Sequence, residues 1–318
     1  MGALDRYSDN LTNPVAPGSG CHSWIMSTAN LGVIAGKDPH EIQDDIRRSI
    51  PAGTRRIPDR EIHDAINKAL ADYNGGNYVP RPRPAPLVKD GNAALQKIIS
   101  QTKIHDEADL WEASPLRLSG EPGDDAALLF ETLFKPDDLI FVGERHDTGI
   151  IAETIRTAGE WKTHFKDGGK TAPFIIVNPL NGIPAHTKSS DKTTLRGDGN
   201  ITSFRHCIGE SDTLSREDQI CFWSAVKLPV VALIDSGGKS IHAWLNLAKL
   251  GEVETLEQWQ AKIKGRLYDR LLVPLGIDGA CSNPARLSRL PGHYREEKKA
   301  WQRLLWLSPE GRSVDGSV

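Results

Sequence analysis

From Val230 to Leu247 the chain reads VVALIDSGGKSIHAWLNL, and few folds can accommodate it. The opening run is apolar and rich in β-branched residues, and it breaks at Asp235-Ser236-Gly237-Gly238. After the break, Ile241, Ala243, Leu245 and Leu247 alternate with His242, Trp244 and Asn246. Strand-like runs on both sides of a turn-forming break read as a β-hairpin. Successive strand residues face opposite ways, so His242, Trp244 and Asn246 share one face as a polar platform while the aliphatics pack beneath. Gly238-Lys239-Ser240 ends like a phosphate-binding loop, yet Leu233 stands where that motif needs its first glycine, and a strand follows instead of a helix. A phosphate bound here would meet side chains and turn amides on a sheet.

Two further segments read as partners of the hairpin. FRHCIGESD (204–212) is strand-like and ends in Glu210 and Asp212, a spacing that aims both carboxylates to one side. GIDGACSNPARLSRLPG (276–292) sets Asp278 between small residues and follows it with Arg286 and Arg289. Each feature alone has an ordinary explanation. An acid pair at a strand end is commonly a solvated turn, a lone His a surface residue, Asp beside Gly a turn former, and two arginines three apart an exposed stripe. Their fixed order within one domain favours a joint role. Asp235 stays open between capping its turn and facing the same site.

In that order the three segments resemble the archaeo-eukaryotic primase superfamily, in particular the primase-polymerase modules of phages and plasmids. With the closing QRLLWLSP, the resemblance runs over about residues 120 to 309. It implies an α+β fold with an RRM-like catalytic core, metal-dependent nucleotidyl transfer, and a nucleotide site beside a single-stranded DNA template. Carried over by position, Glu210, Asp212 and Asp278 would hold the metals, and Ser240 and His242 would bind the incoming nucleotide's phosphates. Many members begin the first motif with Asp, and here Glu210 carries an extra methylene that moves its oxygens.

Chemistry alone asks for the same residue types. In-line attack of a 3′-hydroxyl on an α-phosphate builds negative charge on two oxygens, which two divalent ions roughly 3.5–4 Å apart would stabilise. Mg2+ or Mn2+ prefers hard oxygen ligands, which three converging carboxylates supply. Lys239, Arg286 and Arg289 would neutralise the triphosphate.

Net charge is −3 over 318 residues, so no global basic field announces nucleic acid, although local basic groups beside an acidic metal site remain compatible with it. No apolar run approaches the roughly 20 residues of a membrane span, and the N-terminus lacks a signal peptide's core, which points to a cytoplasmic protein. Cys21, Cys207, Cys221 and Cys281 lack paired spacing, against a disulfide framework or a zinc ribbon.

Taken in order, residues 1–20 read as a loose arm and 21–73 as a small all-α helix-bundle domain, with Asp38-Pro39 opening a helix and Ile42 and Ile46 on its inner face. Arg47, Arg48, Arg55 and Arg56 are candidates for DNA contact or for a solvated face. Residues 74–91 form a Pro-rich linker, 92–310 the catalytic domain, and 311–318 a frayed tail. Within the catalytic domain, 150–165 reads as helix and 186–200 as a mobile loop before the first acidic motif. The expected partners are single-stranded DNA, nucleoside triphosphates and, since no helicase motif is seen, a replicative helicase. The alternative is a catalytically weak replication-initiation module that binds single-stranded DNA or a helicase. An HUH-type nicking enzyme is excluded by the absence of its paired histidines.

Overall fold

Residues 3–12, read from sequence as part of a loose arm, form helix α1 (Ala3–Thr12). The reason is Tyr7, whose ring is buried in an apolar core and whose hydroxyl donates to Asp45 Oδ2 at 3.0 Å. The computed structural model describes residues 2–17, 20–52, 56–74, 90–187 and 190–316. It divides into two units, Met1–Arg83 and Pro84–Val318.

In the first unit α1 packs with α2 (Cys21–Ile34), α3 (Pro39–Ser49) and α4 (Asp59–Asn74) around Trp24, Ile25, Ile42, Ile46, Ile62 and Ile66. Asp38 caps α3 by accepting from His40 N–H at 2.8 Å, with Pro39 at the first helical position, as the sequence predicts. Arg47 donates to the Ile57 carbonyl at 2.9 Å and pairs with Asp59, and Arg48 pairs with Asp45. Two of the four candidate DNA-binding arginines are therefore engaged within the bundle. Arg56 is exposed, and Arg55 lies outside the described residues, as do residues 75–89 of the predicted linker.

The second unit runs α5 (Gly91–Ile99), α6 (Glu107–Ala113), α7 (Pro122–Leu133), β1 (Leu139–Gly143), β2 (Ile155–Thr157), α8 (Ala158–Lys166), β3 (Phe174–Ile176), β4 (Ala185–Thr187), β5 (Ser190–Thr194) and β6 (His206–Gly209). It continues through α9 (Arg216–Ala225), β7 (Val230–Asp235), β8 (Ile241–Asn246), α10 (Leu256–Gln258) extended by π-type turns over Trp259–Leu272, β9 (Leu287–Arg289), β10 (Tyr294–Arg295), β11 (Ala300–Trp301) and β12 (Arg303–Arg312). The result is an α+β unit with two antiparallel four-stranded sheets, ordered β2-β1-β3-β9 and β12-β7-β8-β6.

Both faces of the β7–β8 hairpin are buried. Leu233, Ile241, Ala243 and Leu245 pack with Trp223 of α9 and with Trp259 and Tyr268 of the long helix. On the other face Ala232, Ile234 and Trp244 pack with Phe130 of α7, Trp161 of α8 and Ile175 of β3. The alternation is as read, but the expected polar platform is a second core, because the other sheet and two helices cover it.

Three local expectations are corrected. Helix in the 150–165 region begins only at Ala158, because Thr157 and Glu160 form a capping box and β2 precedes them. The 186–200 segment carries the β4–β5 ribbon, with Ala185 opposite Thr194. The tail is partly strand, since β12 runs to Arg312 and Val314 is buried. No described helix is long and apolar enough to cross a membrane.

Asp125 ties α7 to β12. It is fully buried, and its Oδ2 accepts from Arg303 Nε at 2.8 Å and Leu304 N–H at 3.0 Å. Burial raises its pKa to about 6 despite those two donors. Asp125→Ala should cost about 3 kcal/mol, the low end for a broken buried pair because Arg303 keeps some solvent, and a drop in urea midpoint measures it.

Candidate active site

Strand β6 delivers Glu210 as its first residue past the sheet, and Gly209 sets the approach. A Cβ on Gly209 would lie 2.4 Å from the Trp223 ring, so the chain must pass with bare backbone there. Gly209→Ala should therefore cost about 1–3 kcal/mol and displace Glu210, read as a lowered urea midpoint.

The Glu210 side chain is largely buried, with 13% of its surface exposed. Its Oε2 lies 2.8 Å from His242 Nε2, and its Oε1 accepts from Arg286 Nη2 at 2.9 Å and from the Cys281 thiol at 3.1 Å. Burial alone would raise the Glu210 pKa, but the hydrogen bonds from His242, Arg286 and Cys281 outweigh it and hold the carboxyl well below the usual range.

His242 owes its orientation to Ser288 of β9. The Trp244 indole N–H donates to Ser288 Oγ at 2.7 Å, which leaves the serine hydroxyl proton to face His242 Nδ1 at 3.2 Å. Arg289 N–H also points at Nδ1, at 3.4 Å. With Nδ1 accepting, the ring proton sits on Nε2 and is directed at Glu210.

Asp278 arrives from the far side. Its N–H donates to the Glu210 carbonyl at 2.8 Å, its Oδ1 accepts from Ala280 N–H at 2.9 Å, and its Oδ2 lies 3.8 Å from Arg286 Nη2. Ser211 staples the two acidic segments: buried, its hydroxyl donates to the Gly276 carbonyl at 2.8 Å. Ligand atoms of Glu210, Asp278 and Cys281 all lie within 4.8 Å of one another.

One cavity of about 550 Å³ gathers these groups. Its lining includes Glu210, Asp212, Asp278, Ser240, His242, Arg286 and Arg289. Seven of the eight residues expected at the metals and nucleotide thus meet in one place. Asp212 is exposed on the cavity wall and is not part of the convergent ligand group, whose third member is Cys281. Lys239 is exposed outside the lining, held by its carbonyl, which accepts from Gln219 Nε2 at 3.1 Å. Asp235 resolves as structural: it pairs with Arg216 at 2.8 Å and caps its turn by accepting from Gly237 N–H at 2.9 Å.

The cavity also holds Arg145 and Arg196, which the sequence did not single out. The Arg289 guanidinium sits 4.4 Å from the Phe174 ring centroid and that of Arg145 lies 5.6 Å from it. Arg196 is anchored on the carbonyls of Asp147 and Arg145. Among the described residues none of these three makes a carboxylate ion pair. Burial, then Arg295 and Arg145, lower the Arg289 pKa to about 10. The cavity lining thus combines the acids Glu210 and Asp278 with arginines that make no carboxylate ion pair, a mixture that suits a metal-bound polyphosphate.

No family model matches the chain, and no curated protein matches it. Among solved structures it is similar to the AEP domain of the cyanophage S-2L primase-polymerase, at a TM-score of 0.39 and 21% identity over 60% of this chain and 93% of that one. The side chains, not this likeness, carry the function proposed below.

Proposed function

We propose that the Pro84–Val318 unit is a nucleotidyltransferase of the primase-polymerase kind, with an RRM-like core, which joins nucleoside triphosphates on a single-stranded DNA template. The observation that supports it most is the meeting of Glu210, Asp278, Ser240, His242 and Arg289, from distant segments, in one cavity that carries both acids and arginines. Glu210 and Asp278, with Asp212 on the wall, would hold divalent cations, Mg2+ or Mn2+, and their converging donors fit at least one such ion. When bound, the cations would supply the positive charge that activates a 3′-hydroxyl and offsets charge on the transferred phosphate.

The chain's own groups do the rest. Arg289, Arg145 and Arg196 bind and orient the polyphosphate. Ser240 and the Nε2–H of His242, now directed at Glu210, would serve as donors to its oxygens. Arg286, now bridging toward both carboxylates, occupies the position of a cation and would yield it on loading. A replicative helicase is the proposed partner for unwinding, in phage or plasmid replication within the host cytoplasm.

One observation favours the catalytically weak replication-initiation reading: both Glu210 oxygens are already satisfied by protein donors. The two separate in one assay, manganese- or magnesium-dependent labelling of primed and unprimed single-stranded DNA by wild type and Asp212→Ala. Labelling by wild type that falls at least tenfold in the variant supports the enzyme. Inert proteins that still bind the strand support the binding module.

A further inference from the structure

We infer that Cys281 is a ligand of the same cation centre, and that its sulfur shifts the centre's preference from magnesium toward ions that accept thiolate, such as cobalt(II) and zinc. The inference deepens the reading above, because it concerns the cation that Glu210 and Asp278 would share and not the reaction.

Three features carry it. First, the Cys281 sulfur is fully buried yet placed 3.1 Å from Glu210 Oε1, although the adjoining core offers apolar surroundings that would suit a neutral thiol. Second, Asp278 and Cys281 sit at the two ends of one 3₁₀ turn. Cys281 N–H donates to the Asp278 carbonyl at 3.1 Å, so backbone geometry fixes the separation of carboxylate and sulfur. Behind the turn, the Trp259 indole N–H donates to the Ser282 carbonyl at 2.7 Å and clamps it. Third, ligand atoms of the three residues already lie within 4.8 Å of one another, a spacing that small side-chain rotations convert into shared coordination.

Loading requires no redox change. The thiol proton, now donated to Glu210, leaves to solvent as the metal–sulfur bond forms, and Arg286 Nη2 withdraws from between the carboxylates. Mg2+ gains nothing from sulfur because it takes hard oxygen ligands, whereas borderline ions bind N, O and S together. A purely oxygen-ligated centre would favour those ions less and would give no sulfur-to-metal charge transfer.

The test is titration of the reduced, metal-free full chain with Co2+ alone, followed by the near-ultraviolet sulfur-to-cobalt charge-transfer band. Wild type should develop the band as one ion binds. Cys281→Ser should lose it, with Co2+ affinity falling about ten- to a hundredfold and Mg2+ affinity unchanged. Asp278→Asn, which keeps the thiol, should require more Co2+ to reach the same band, and so serves even if Cys281→Ser folds poorly. Cobalt bound without the band in wild type overturns the inference, as does a band that survives in Cys281→Ser. A band that behaves as expected in a protein unable to label DNA leaves the ligand set standing and removes the enzyme. Labelling without the band does the reverse.

Discussion

Glu210→Gln is expected to silence nucleotidyl transfer and loosen the fold together. The amide keeps the shape of the side chain but removes the charge on which His242, Arg286 and Cys281 converge. Activity should fall on the order of 10³-fold, the scale of losing a preorganised electrostatic group at the reacting centre. Stability should fall by about 3 kcal/mol, because a largely buried charge pair loses one member. A second signature follows from pH. The folded carboxyl titrates below its unfolded value of about 4.3, so its stabilisation is complete above that pH and is lost as pH falls toward the depressed folded value. Urea midpoints measured from pH 7 down to pH 3 should therefore draw closer for wild type and Glu210→Gln below about pH 4.3 without meeting, since the unfolded carboxyl is protonated there while the folded one is still ionised. Parallel profiles would show that Glu210 is not the stabilising charge it is taken to be here.

How far the sequence led can be judged at particular residues. The hairpin was legible because a period-two pattern on both sides of a turn admits one local structure, and β7 and β8 pair Asp235 with Ile241 as that pattern requires. Glu210, Asp278 and His242 were legible as residue types in order. What covers a face was not: Trp244 and His242 are buried because β9 lies over them, and the pairing of β9 with β3 depends on residues more than a hundred positions apart. Ser288, Ser211 and Gln219 read as ordinary polar residues, yet each fixes a site segment through bonds to residues distant in the sequence. The helix at residues 3–12 is hidden in a composition like that of a loose arm, because only the packed bundle that buries Tyr7 gives it a partner. Cys281 carried no spacing signal, Arg196 lay in a segment read as a mobile loop, and nothing in the sequence around Arg145 marked it.

Arg289→Met should separate function from stability in the opposite sense to Glu210. The Arg289 guanidinium lies over Phe174, makes one bond to Gln302 at 3.3 Å, and shares its surroundings with Arg145 and Arg295. Burial and these like charges together bring its pKa down to about 10, so the charged form is disfavoured in the free protein. Methionine keeps the apolar stem and its contact with the ring while removing the repulsion. The thermal midpoint should therefore hold steady or rise. Affinity for a nucleoside triphosphate should fall about ten- to a hundredfold, the loss of one or two charge-assisted bonds, read by isothermal titration in the presence of Mn2+. A purely structural arginine would give the reverse pattern, with a lower midpoint and unchanged affinity. An arginine that costs the empty protein stability and returns it only to a bound anion is what a phosphate-binding wall requires, and the same trade-off should recur in weaker form at Arg145, which stands exposed at the cavity's mouth.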